Sequence, residues 1–138
     1  MTIDIVNAQR QTPIELGRLR TVARCAAKRL NLRAPGRLSI TLLSAQRMRR
    51  LNRRYTRHDR PTDVLSFRYE GEPVAGDILI APALARAYAS AHGIPYRQEL
   101  ARYLVHGLLH WRGYEDRTQA QQRKMRQMED RLLSGCGA

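Results

Sequence analysis

Hydrophobic positions recur along the chain in two rhythms, one of two residues and one of three to four, and their order predicts a mixed helix and strand protein. Ile3 and Ile5 alternate with polar neighbours over residues 2–6, a short strand. Thr12-Pro13 predicts a helix start, with Thr12 as N-cap and Pro13 at the first helical position. Leu16, Leu19, Val22, Ala23, Ala26 and Leu30 then share one helical face through residues 14–30, until Ala34-Pro35-Gly36 breaks it. Leu38, Ile40 and Leu42 mark a strand over residues 37–43, and a short helix runs from Ser44 to about Tyr55. A polar loop, His58 to Asp63, precedes the strand Val64-Leu65-Ser66-Phe67; Gly71 with Pro73 marks a turn, and residues 77–80 form a fourth strand. Ala81-Pro82 opens an alanine-rich helix to about Ala91.

The strongest helical pattern spans Tyr96 to Trp111, with Leu100, Leu104, Leu108 and Trp111 on one face and Gly113 as the residue that ends it. A last helix over residues 118–133 carries Met125, Met128, Leu132 and Leu133, a stripe that reads as core. Ser134 to Ala138 is expected to be a flexible tail. The order β-α-β-α-β-β-α-α-α predicts an α+β fold: one domain over residues 1–138, a four-stranded sheet packed by about five helices, without internal repeats.

Size and composition agree with one globular domain of 138 residues. No uncharged run exceeds about ten residues, half the length that a membrane helix needs. The opening Met-Thr-Ile-Asp-Ile lacks the basic and apolar regions of a signal peptide, and two cysteines, Cys25 and Cys136, are too few for a disulfide framework and have no metal-ligand spacing. The expected location is the cytoplasm, with no membrane contact.

Charge narrows the picture. The chain holds 25 Lys+Arg against 12 Asp+Glu, a net charge of +13, and residues 1–60 carry +12 of it. Arginine is densest at Arg47, Arg49, Arg50, Arg53, Arg54, Arg57 and Arg60. A G·C-rich genome would account for Arg in place of Lys, but not for the excess of base over acid. Such an imbalance fits a polyanion, and Arg47, Arg50, Arg53, Arg54, Arg57 and Arg60 are the candidate phosphate contacts.

Residues 106–116 carry the candidate chemistry in the pattern H-x3-H-x2-G-x2-D: His106, His110, Gly113 and Asp116. Four helical steps of 100° bring two side chains back to within about 40° of each other, so both imidazoles share a face. A helix ended by Gly113 lets the chain return with a carboxylate at Asp116. Three protein donors with a fourth position open is the ligand set of a catalytic zinc site, placed here at the C-terminal end of the fourth helix. The plain alternative is a pair of hydrogen-bonded helix histidines with an ordinary glycine cap. Zinc peptidases place Glu directly after the first histidine as general base; that position is Gly107, which disfavours a peptidase. His58 reads as a surface histidine and His92 as a helix terminus.

Three blocks, over roughly residues 48–116, resemble the YbeY endoribonuclease family of rRNA maturation factors. Leu51-Asn52 through Tyr55, with Asp59 and Pro61-Thr62-Asp63-Val64-Leu65-Ser66-Phe67, is similar to the family's L-N-x-x-Y…D-x-P-T-D-V-L-S-F; Gly76-Asp77-Ile78 is similar to its G-D-I; and His106-Gly107 through Leu109-His110 to Gly113-Tyr114 resembles its H-G-x-L-H-x-x-G-Y-D-H. The third metal ligand of the family is a histidine where this chain has Asp116, and Glu115 is a rival donor one residue off the pattern. An arginine that often follows the tyrosine of the first block is Thr56 here, with Arg57 next; Arg57 and Arg60 are the candidates for stabilising charge on the phosphate. The resemblance implies a zinc-dependent endoribonuclease with one Zn2+ per chain. It implies activity on single-stranded RNA, maturing the 3′ end of 16S rRNA at the small ribosomal subunit, and in ribosome quality control, with no DNA as partner. The alternative is a non-catalytic, ribosome-associated RNA-binding protein that has lost its metal site.

Overall fold

A computed structural model describes residues 1–32, 36–56, 64–69, 71 and 74–138. Among the described residues, nine elements follow in chain order: β1 (Thr2–Asn7), α1 (Leu16–Arg29), β2 (Gly36–Leu42), α2 (Ala45–Thr56), β3 (Val64–Tyr69), β4 (Val74–Ile80), α3 (Pro82–His92), α4 (Tyr96–Arg112) and α5 (Gln119–Gly135). The α+β reading, four strands with five helices, is borne out.

The sheet has the order β1-β2-β4-β3. β1, β2 and β4 run parallel, with Ile5 beside Ile40 and Ile40 beside Ile78, while β3 runs antiparallel to β4. Parallel neighbours need a crossover, and α1 supplies it between β1 and β2. Period-two alternation puts Leu38, Ile40, Leu42, Ile78 and Ile80 on one buried face, where they meet Val22, Leu104, Leu108 and Leu109 from the helices. α4 is central: it packs on β3 and β4 and against α1, α3 and α5. Glycine makes the close approach possible. A β-carbon at Gly76 would overlap the Trp111 indole and stand 2.9 Å from the Phe67 carbonyl oxygen.

Three expectations change. Thr12 does not cap a helix; it is buried, its N–H donates to Gln9 Oε1 at 2.8 Å and its carbonyl accepts from Gln9 Nε2 at 2.9 Å. With Tyr96 donating to the Pro13 carbonyl as well, these residues are committed to tertiary contacts and α1 starts at Leu16, after Glu15. β4 begins at Val74 rather than at 77, because it is paired on both sides, with Gly36 of β2 beside Val74 and Tyr69 of β3 beside Ala75; Gly71, between β3 and β4, has a φ of 135° that suits a residue without a side chain.

The closing residues, expected as a tail, make contacts with α1. Cys136 forms a disulfide with Cys25, 111 residues away, with Cα atoms 5.7 Å apart. Arg29 donates to the Gly135 carbonyl at 3.2 Å, and the Ala138 N–H donates to the Leu133 carbonyl at 2.8 Å. Two cysteines are no framework, yet folding brings these two together. Among the described residues, no helix is long and apolar enough to cross a membrane.

Candidate metal centre

The site is built on α4 because that helix has two different sides. One presses Gly107 onto the sheet, where Ser66 Oγ of β3 donates to the Gly107 carbonyl at 3.2 Å. The other carries His106 and His110, one turn apart, with ring centroids 4.6 Å apart and planes at 79°. Gly113 ends α4 in the left-handed region at φ 115°, its N–H donating to the Leu109 and His110 carbonyls. The chain then doubles back. Gln122 Nε2 donates to the Asp116 carbonyl at 3.1 Å, and Thr118 with Gln121 forms a reciprocal capping box that starts α5. Asp116 is held between these two fixed helix ends.

His106 Nε2 lies 3.4 Å and His110 Nε2 3.3 Å from Asp116 Oδ2, and the three donor atoms all fall within 4.8 Å of one another. Two donors about 2.0–2.1 Å from a tetrahedral zinc stand roughly 3.3–3.4 Å apart, so these spacings fit one shared ion. His106 is 25% exposed, His110 30% and Asp116 38%, which leaves an open side for water or substrate. Glu115, the rival donor, is exposed and outside the cluster.

A cavity of about 330 Å³ opens beside these donors, lined among others by Val64, Arg102, Tyr103, His106, Asp116 and Arg126. The V-L-S-F strand therefore borders the site through Val64. Arg102 is held by two carboxylates, Glu129 at 3.0 Å and Asp130 at 2.7 Å. Burial pulls its guanidinium pKa down, but the hydrogen bonds it donates to Asp130 and Glu129 outweigh this and raise it above its ordinary value. Glu129, buried on α5, also meets His106 Nδ1 at 2.6 Å.

The three donors are legible in the sequence, but their support is not. Glu129, Arg102 and Arg126 come from helices whose faces the sequence does not juxtapose. One signal was present: Glu129 stands four residues from both Met125 and Leu133, a carboxylate inside an apolar stripe. The arginine-rich helix lies elsewhere. Arg47, Arg50, Arg53 and Arg54 are exposed on α2, which packs on α3, and none of them lines the cavity among the described residues. Arg57, Arg60, His58 and the Pro61–Asp63 segment lie outside the described residues. His92 does end α3, stacked on Tyr88 with ring centroids 3.9 Å apart.

Fold and site together define a class: a small α+β domain with an open cluster of three donors, able to hold a metal ion, at the end of its central helix. The family model described as Endoribonuclease YbeY matches residues 4–137. The chain is 32% identical to the endoribonuclease YbeY of Geobacillus kaustophilus over 99% of this chain and 98% of the relative. It is 35% identical to that of Persephonella marina over 70% of this chain and 67% of the relative. The chain belongs to the YbeY family. The solution structure of a Thermotoga maritima protein shares the fold, with a TM-score of 0.66 at 23% identity, covering 96% of this chain and 90% of that one.

Proposed function

We propose that this protein is a zinc-dependent endoribonuclease that cleaves single-stranded RNA, acting on the 3′ end of 16S rRNA and in ribosome quality control in the cytoplasm. Family membership supports RNA cleavage, and the observation that carries the metal reading is the convergence of His106 Nε2 and His110 Nε2 on Asp116 Oδ2 at 3.4 and 3.3 Å. Bound there, zinc supplies a Lewis acid and a water acidified toward neutral pH. Asp116 adds a negative charge where a third imidazole would be neutral, so the centre is tuned toward a less acidic water rather than disabled.

The chain's own residues do the rest. Arg126, exposed and lining the same cavity as His106 and Asp116, is the cation that would stabilise charge on a phosphodiester bound there. The arginines of α2 serve as a separate grip on the RNA backbone, away from the centre. Gly107 leaves no general base in the peptidase position.

Metal analysis with RNA cleavage tests this. The purified chain is expected to hold about one zinc, with cleavage of single-stranded RNA, and Asp116→Ala is expected to lose both. A metal-free wild-type chain that binds RNA without cleaving it would establish the non-catalytic RNA-binding alternative instead.

A further inference from the structure

Glu129 is only 4% exposed, and a carboxylate leaves water at this cost only with partners that match it. Its two oxygens are divided. Oε1 accepts from Arg102 Nη1 at 3.0 Å, and Oε2 stands 2.6 Å from His106 Nδ1. Arg102 is in turn fixed by Asp130 through Nη2 at 2.7 Å. An ionised carboxylate can only accept, so this short contact places a ring proton of His106 on Nδ1, and in the neutral ring the lone pair is then on Nε2. Nε2 is the atom that faces Asp116 Oδ2. Among the described residues, His110 Nδ1 has no carboxylate in the same place, so the two histidines are held differently.

We propose that Glu129 is the positioning residue of the metal centre. It holds His106 in the Nδ1–H tautomer with Nε2 aimed at the ion, and Arg102 holds Glu129. The role in metal binding rests on the reading of His106, His110 and Asp116 as a metal site; the control of the tautomer does not. Partners of this kind orient ligand imidazoles and raise their donor strength, and their loss typically weakens metal affinity by about 10- to 100-fold.

The test uses the full chain with two readouts. ¹⁵N NMR of the metal-free protein at alkaline pH reports the His106 tautomer, and competition with a chromophoric chelator reports Zn2+ affinity. Wild type is expected to carry the proton on Nδ1. Glu129→Ala is expected to move it toward Nε2, which a free imidazole prefers, and to weaken Zn2+ binding by about 10- to 100-fold. Glu129→Gln, whose amide oxygen can still accept, is expected to keep the Nδ1–H tautomer and recover part of the affinity. Asp130→Ala, which removes only the exposed partner of Arg102, is expected to leave both readouts near wild type. If Glu129→Ala does not fold, Glu129→Leu fills the same space without an acceptor and carries the same expectations. A wild-type proton on Nε2, an unmoved tautomer in the acceptor-less variant, or Zn2+ affinity there within about threefold of wild type overturns the proposal. A wild-type chain that takes up no zinc but shows the tautomer shift removes the metal reading and leaves the positioning of His106 standing.

Discussion

Ile78 Cγ2 lies 2.7 Å from the point where a β-carbon on Gly107 would fall, and Val64 Cγ1 lies 3.2 Å from it. The position that a zinc peptidase would give to its catalytic Glu is thus pressed against the sheet. Both the missing base and the close seat of α4 on β4 follow from one glycine. Gly107→Ala is expected to lower stability by roughly 1–3 kcal/mol through overpacking, read as a lower urea midpoint with an unchanged m-value.

Metal removal is expected to separate activity from fold. His106, His110 and Asp116 are outside the hydrophobic core, which is built from sheet and helix residues such as Ile40, Ile78 and Leu108. A chelator should abolish RNA cleavage while leaving the far-ultraviolet circular dichroism unchanged. Zinc at a hundred times its dissociation constant adds about 2.7 kcal/mol by mass action, so melting should shift upward with free zinc. Loss of secondary structure on chelation would show that the ion is structural.

The basic helix predicts a salt signature. Replacing Arg47, Arg50, Arg53 and Arg54 with Gln should flatten the plot of log RNA affinity against log salt by about 0.7 for each phosphate that is no longer neutralised. The rate of cleavage at saturating RNA should change far less, because none of these four lines the cavity among the described residues. An unchanged slope would place the RNA grip on another face.

Cys25–Cys136 joins α1 to the end of α5 across a separation of 111 residues. A cross-link closing so long a loop restricts the unfolded chain, and its loss typically costs about 2–5 kcal/mol. Cys136→Ser and reduction of the wild type should therefore lower the denaturation midpoint to the same extent, and reductant should have no further effect on the variant.

Alkaline stability should depend on Tyr96. Its phenol donates to the Pro13 carbonyl at 3.0 Å, and burial pushes its pKa up to about 12 from 10.0, against a smaller opposing pull from Arg86. The folded state thus favours the protonated phenol. Its contribution is complete below pH 10 and is lost as pH rises toward 12, where the unfolded chain releases the proton more readily. The loss is on the order of 1 kcal/mol once solvent screening at this partly exposed site is allowed for. Tyr96→Phe should show a shallower decline of stability between those pH values.

The elements and the three donors were readable because their causes are local. Period-two alternation at Leu38, Ile40 and Leu42 makes a strand buried on one face, and four-residue spacing puts His106 and His110 side by side on any helix. Gly113 ends that helix through its own backbone freedom. Other features depend on groups far apart in sequence. Thr12 and Pro13 carry a helix-start signal that Gln9 and Tyr96 override. Cys136 looked like part of a loose end until α1 and α5 came together to pair it with Cys25. Glu129 reaches His106 across 23 residues, and the arginines of α2 sit apart from a cavity that draws Arg102 and Arg126 instead. Local backbone preference and side-chain periodicity are written in short windows of sequence. Which buried carboxylate meets which imidazole depends on how whole helices pack, and that is set by the joint burial of their apolar faces.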